Sequence, residues 1–268
     1  MKVGYINYCN SFPFYHEAIE SPIADIEIHS HPPSQLNLML HKGQLDVSAI
    51  STFEYLSHSD QYVILPDLSI NSQGYVKSVL LFSQVPLEEL NHQEIFLSTE
   101  SATSTHLLKI LLQQNNISIK NYLDYSESIL NNEAKAIMLI GDAALNFKST
   151  DHPYVYDLAH EWNCLFDLPL VFALWVVRKE IANKYSDTIY KLHQQLVGVR
   201  ENLSVNLEEL APIISQHFKN LNVDINEYFS HLNFELRDEC IESIYLYADK
   251  LYNMNILKNK TQLEFLSF

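Results

Sequence analysis

The sequence predicts an α/β protein of two lobes, with a cleft between them and a helical C-terminal region. Three observations carry this. Short apolar runs alternate with helix-like patterns as far as Arg178, the rhythm of β-α units. That rhythm restarts near Pro86 with no Gly/Ser linker. The joins on both sides of the restart are apolar runs, Val79-Leu80-Leu81-Phe82 outward and Phe172-Ala173-Leu174-Trp175 back. A unit tied to its neighbour by two ordered strands is inserted into it. Residues 1–85 with 171–268 are therefore expected to form the first lobe and 86–170 the second, with the site at the strand exits facing the cleft.

Taken in order, residues 3–7 are the first expected strand, followed by the turn Asn10-Ser11-Phe12-Pro13 and a helix over 15–19. After a strand at 26–30, Pro33-Ser34 opens a helix with Ser34 as N-cap. Leu36, Met39 and Leu40 share one face, and Gly43 closes it. Residues 46–50 read as a buried strand, with Ser51-Thr52 capping the short helix behind it. Strands at 62–65 and 78–83 flank a loop holding Asn71 and Gly74. The second unit begins with a strand at 95–99, the loop Ser101-Ala102-Thr103-Ser104 and a helix over 105–113. It continues with a strand at 136–140, the exit Gly141-Asp142 and a short helix from Ala143; strands at 155–156 and 171–177 finish the sheets. Beyond Lys179, Ile241, Ile244, Tyr245, Ala248, Leu251 and Tyr252 recur at helical spacing, the stripe of an amphipathic terminal helix.

Composition narrows the class. The chain has 268 residues, 47% hydrophobic and 19% charged, enough for two domains with a real core. Its formal net charge of −16 repels phosphate backbones and anionic lipid, which excludes nucleic acid and membrane surfaces as partners. The same field repels an anionic metabolite at long range, so a site for one must be locally positive. Cys9, Cys164 and Cys240 are odd in number and without C-x-x-C spacing, so neither a disulfide framework nor a zinc ribbon is expected. The N-terminus turns polar too early for a signal peptide, and no apolar run spans a bilayer; a cytoplasmic address is expected.

Four strand exits place small polar residues ahead of helices: Asn10-Ser11, Ser51-Thr52, Ser101-Ala102-Thr103-Ser104 and Gly141-Asp142. Helix N-termini offer unpaired N–H groups and a positive dipole end, so together they can hold a carboxylate without a lysine. Each residue also has a plainer use as an N-cap. His29 and His31 lack a third ligand at metal spacing, H-E-x-x-H is absent, and neither a G-x-G-x-x-G nor a Walker motif occurs. No metal or cofactor is expected. Cys9, with no histidine placed beside it by sequence, reads as a small core residue.

Several segments resemble the chorismate dehydratases of the futalosine route to menaquinone. They are Tyr8-Cys9-Asn10-Ser11-Phe12-Pro13, Pro33-Ser34-Gln35-Leu36-Asn37 and Gly43-Gln44-Leu45-Asp46-Val47-Ser48, then Leu65-Pro66-Asp67-Leu68-Ser69-Ile70 and Ser78-Val79-Leu80-Leu81-Phe82-Ser83. Ile140-Gly141-Asp142-Ala143-Ala144-Leu145 and Phe172-Ala173-Leu174-Trp175 complete a set that keeps family order from Val3 to Arg178. The resemblance implies a type II periplasmic-binding-protein fold used as an enzyme, a hydro-lyase converting chorismate to 3-[(1-carboxyvinyl)oxy]benzoate and water. It sets Asn10 at the family's cleft asparagine and Ser78 at a serine on the crossover strand. Neither is a strong base, which implies that the substrate's side-chain carboxylate takes the proton while these two orient it. Ser51, Thr52, Thr103 and Ser104 would hold carboxylates; Ser11, Ser101, Gly141 and Asp142 complete the expected site. Cys9 departs from the aliphatic residue usual in the family.

Three alternatives stand beside this reading. The sister lyase of the pathway, forming 1,4-dihydroxy-6-naphthoate, shares the fold but is associated with a histidine base where this chain has Gly141-Asp142. A non-enzymatic receptor for a small carboxylate would carry an export signal. A ligand-sensing domain of a regulator would carry a basic helix-turn-helix segment, which the sequence lacks.

Overall fold

The computed structural model describes residues 1–125, 134–148, 150–221 and 223–268. The chain opens with β1 (Lys2–Ile6), a 3-10 turn at Cys9–Ser11 and α1 (Phe12–Glu20). β2 (Glu27–His31), α2 (Pro33–His41), β3 (Val47–Ser51), α3 (Thr52–Ser57) and β4 (Tyr62–Ser72) follow. Next come β5 (Val79–Ser83), β6 (Glu94–Leu97), α4 (Ala102–Gln114), β7 (Asn121–Asp124) and β8 (Ala136–Ile140). α5 (Gly141–Asn146), β9 (Tyr154–Asp157), α6 (Leu158–Phe166) and β10 (Leu170–Arg178) lead into α7 (Lys179–Ala182), α8 (Ser186–His217), α9 (Ile225–Ser230) and α10 (Asp238–Asn253).

Two five-stranded sheets are built on one plan. The first runs β2-β1-β3-β10-β4 and the second β7-β6-β8-β5-β9. In each, three neighbouring strands are parallel, and a crossover strand, β10 or β5, pairs antiparallel on both its sides. The parallel strands are fed by helices, so their exits lie at one edge of each sheet. β3 and β8 are buried at all five positions, as strands covered on both faces must be.

The structure corrects the sequence reading at four places. β5 pairs with β8 and β9, so the second sheet takes in residues 79–83, which are expected in the first lobe of 1–85 with 171–268. An apolar run tells that a strand exists; its partners decide the sheet. The expected loop around Asn71 is part of β4, an 11-residue strand whose register with β10 shifts twice. Asn71 is tolerated there because its Nδ2 donates to Ser69 Oγ at 2.7 Å and to the Glu235 carbonyl at 2.8 Å. Ser34 is not an N-cap, since α2 already begins at Pro33 and Pro32 occupies that position. The buried face of α10 is Cys240, Ser243, Ile244, Tyr247, Ala248 and Leu251, leaving Tyr245 and Tyr252 exposed.

The principal core runs through both sheets, and a smaller cluster forms around Phe82, Ile137 and Leu139. α10 binds the two halves together: Trp162 Nε1–H of α6 donates to Ser243 Oγ at 3.1 Å, and the Tyr247 hydroxyl donates to the Thr103 carbonyl of α4 at 3.0 Å. Among the described residues no helix is long and apolar enough to cross a membrane.

Candidate functional site

The exits of β1, β3, β6 and β8 meet the start of β5 around one cavity between the sheets, with about 540 Å³ of empty space, part of it open to solvent. Asn10, Ser51, Ser78, Ser101, Ser104 and Gly141 line it, together with Tyr8 and an apolar wall that includes Ile6, Ile70, Val79, Ile140 and Phe172. Six of the ten residues singled out from sequence therefore converge on one place. Ser11, Thr52, Thr103 and Asp142 stand behind them.

On the β1 side, the chain turns through Cys9–Ser11 into α1, with Ser11 buried and donating its hydroxyl to Asn10 Oδ1 at 3.2 Å. Asn10 also faces the Tyr228 hydroxyl, which donates to Ser78 Oγ at 2.9 Å. Tyr228, from α9, is fully buried, and that burial pushes its phenol far above the ordinary range, so it is a neutral hydrogen-bonding group. One amide and two hydroxyls thus share a network at the cavity floor. Nothing in the sequence separates Tyr228 from the other 15 tyrosines; it reaches the site only because α9 folds back beneath Ser78.

The β3 exit is braced from two directions. Ser51 Oγ accepts the Glu54 N–H at 3.2 Å as the N-cap of α3 and accepts Asn37 Nδ2–H at 3.1 Å. Asn37 Oδ1 in turn accepts the Ser51 N–H at 3.2 Å. Thr52, expected to bind a carboxylate, donates its hydroxyl to the Val171 carbonyl at 2.7 Å, tying α3 to β10. Thr103 is likewise engaged, because its Oγ1 accepts the Phe53 N–H at 2.9 Å and so satisfies the N-terminus of α3 from the other lobe. Ser101 caps α4 by accepting the Ser104 N–H at 3.2 Å, and the two hydroxyls lie 3.1 Å apart.

Gly141 must be glycine for two reasons. Its φ is +57°, and a Cβ there would stand 2.9 Å from the Tyr8 ring. Its N–H donates to the Ser78 carbonyl at 2.7 Å, fastening the β8 exit to β5. Asp142 is not an N-cap, since α5 has Ile140 in that position. Instead its Oδ1 accepts the Cys9 N–H at 3.3 Å across the lobes. Burial pushes the Asp142 carboxyl up to about 6, against the pull of that N–H, and the Glu100 charge adds to the rise. Glu100 accepts the Tyr8 hydroxyl at 2.6 Å. Cys9 is fully buried and its thiol is pushed up by burial, so it is a core residue and no nucleophile.

Among the described residues, Tyr8 is the one titratable side chain on the cavity lining, and burial and Glu100 hold its phenol protonated. Among the described residues no Lys, Arg, His, Cys, Asp or Glu lines it. The lining therefore presents hydroxyls and an amide, neutral groups that can donate hydrogen bonds to a desolvated carboxylate.

Solved structures with this architecture support the fold. A crystal structure of an Archaeoglobus fulgidus protein superposes with a TM-score of 0.73 at 16% identity, over 96% of this chain and 98% of that one. The alkanesulfonate-binding protein SsuA from Xanthomonas axonopodis pv. citri, bound to MOPS, gives 0.72 at 14% identity, over 97% and 95%. A Candida albicans protein described as having the generic periplasmic-binding-protein structural fold gives 0.66 at 12%, over 100% and 98%. The two-lobed periplasmic-binding-protein-like architecture expected from sequence is thus the fold observed. By sequence, the chain is 31% identical over 194 residues to a chorismate dehydratase of Thermus thermophilus, covering 66% of this chain and 70% of the relative. A family model described as menaquinone biosynthesis matches residues 1–253, and the chain belongs to that family.

Proposed function

We propose that this protein is a chorismate dehydratase, a hydro-lyase that removes water from chorismate to give 3-[(1-carboxyvinyl)oxy]benzoate, and that Asn10 and Ser78 are its catalytic residues. The observation that carries the reading is the lining of the cavity, where the described residues offer neutral hydrogen-bonding groups and neither a carboxylate nor an imidazole. Family membership supplies the reaction.

The chemistry asks little of a base. The ring proton on the ether-bearing carbon is vinylogous to the ring carboxylate, so its loss leaves a delocalised anion. The neighbouring hydroxyl then departs and the ring becomes aromatic; the proton and the hydroxide leave together as water. The substrate's own side-chain carboxylate accepts the proton if it is held over that carbon. Asn10 and Ser78 do the holding, and Tyr228 fixes both in turn. Ser51, Ser101 and Ser104 with their helix N-termini receive the ring carboxylate. Thr52, Thr103, Ser11 and Asp142 act one layer further out, holding the strand exits in register.

The test is direct. Purified protein incubated with chorismate should generate one aromatic product, identified by its mass and ultraviolet spectrum. Chorismate bound without turnover would sink the enzymatic reading in favour of a receptor.

A further inference from the structure

We propose that His41, Glu54 and His58 form a binding site for one divalent transition-metal ion of the zinc class, clamping the C-terminal end of α2 to α3. The site lies outside the cavity.

Each of the three residues offers a ligand atom, and these atoms all lie within 4.8 Å of one another; it is the one such cluster among the described residues. Glu54 and His58 are four apart along α3 and its C-cap, so they project from one face. His41 is the last residue of α2, and its ring centroid is 4.3 Å from that of His58. The Glu54 carboxylate is half-buried, and among the described residues its ion-pair partner is His58, with neither Lys nor Arg in contact. His58 Nδ1 approaches Glu54 Oε1 to 2.9 Å, so this imidazole and the carboxylate already face one another.

Two imidazoles and one carboxylate are the donor set of a zinc-type ion with a position left for water, whereas calcium and magnesium require oxygen cages. Around zinc, with bonds of about 2 Å, the ligand atoms stand roughly 3.3 Å apart, so His41 must draw in while His58 Nδ1 and Glu54 Oε1 separate slightly. His41 is exposed and free to turn inward. The Tyr62 hydroxyl, 3.5 Å from Glu54 Oε1, supplies an outer contact that orients the carboxylate. The groove above the cluster is open, lined also by Ser34, Leu38 and His106, which gives an ion its entry. The clamp would act on the frame of the cavity, since Asn37 stands one turn before His41 and Ser51 one turn before Glu54.

The experiment is titration of the chelator-stripped full chain with zinc chloride, followed by calorimetry and thermal melting. The expected result is one equivalent bound at micromolar or tighter affinity and a rise in Tm with zinc. Binding should weaken at least tenfold in His41→Ala and in Glu54→Gln. It should be unchanged in His29→Ala and Cys164→Ser, which remove other surface donors. His41 is exposed, so its variant folds and decides the matter even if changes at Glu54 do not. No saturable binding, or binding that survives His41→Ala, overturns the proposal.

Discussion

Asn10, Ser78 and Tyr228 hold one another, and their substitutions should separate by what each removes. Asn10→Ala and Ser78→Ala should each lower kcat on the order of 100-fold, because a lost positioning contact misplaces the carboxylate over the carbon. Melting temperatures should move little, which excludes simple unfolding. Tyr228→Phe keeps the ring and deletes the contacts of its hydroxyl with Ser78 and Asn10, each worth about 1 kcal/mol, so a loss of turnover of several-fold or more is expected, with KM nearly unchanged. Asp142 provides the contrasting case. Folding raises its carboxyl from 3.8 to about 6, so between those values the folded chain keeps a proton that the unfolded chain has released. Its contribution to stability is therefore most favourable below pH 4 and declines as pH rises through 6. Asp142→Asn should raise Tm at pH 7, by an amount corresponding to about 3 kcal/mol at most, and should flatten the pH dependence of Tm between 4 and 6. Turnover should persist in this variant; its abolition would mean that Asp142 is the base and that the substrate carboxylate is not.

At the scale of elements, the strand exits are set by contacts that cross from one lobe to the other. Gly141→Ala forces a side chain into a left-handed backbone and against the Tyr8 ring. A cost of about 1–3 kcal/mol is expected, together with a fall in kcat, because the Gly141 N–H fastens to Ser78. The double variant Tyr8→Ala/Gly141→Ala relieves the clash but not the backbone strain, so it should recover only part of the lost stability. Thr103→Val removes the acceptor for the buried Phe53 N–H, with an expected loss of roughly 1–3 kcal/mol. Denaturant melts of the three variants measure these costs directly. The strand exits and the cap at Ser51 were legible locally, since a cap bonds to its own helix three residues on, whereas α4 starts at Ala102, inside the expected loop, with Ser101 as its cap. The true partners of Thr52 and Thr103 were not, because they lie 119 and 50 residues away along the chain.

For the whole molecule, the −16 net charge sets the approach of substrate while the cavity sets its capture. Chorismate is a dianion, and its approach is opposed by a field that salt screens over about 10 Å at 0.1 M. KM should therefore fall modestly as ionic strength rises from about 10 mM to about 200 mM. A site built on lysines would behave in the opposite way. Steady-state kinetics at fixed pH across a salt series decides between them.

The sequence alone dictates the alternation of strands and helices and the small polar strand exits. These are matters of periodicity and of residues within a few positions of each other, and local sterics and burial dictate them. It also reached Asn10, Ser51, Ser78, Ser101, Ser104 and Gly141, which converge on one cavity. Tertiary structure alone decided that β5 joins the second sheet, that Asn71 sits inside β4 and that α10 presents Tyr247 instead of Tyr245 to the core. It alone brought Tyr228 beneath Ser78, 150 residues away, and set the Asp142 carboxyl against the Cys9 N–H. Such pairings have no local signature, because hydrogen bonds and desolvation depend on which surfaces meet, and that is settled only when the two sheets and the helical C-terminus pack together.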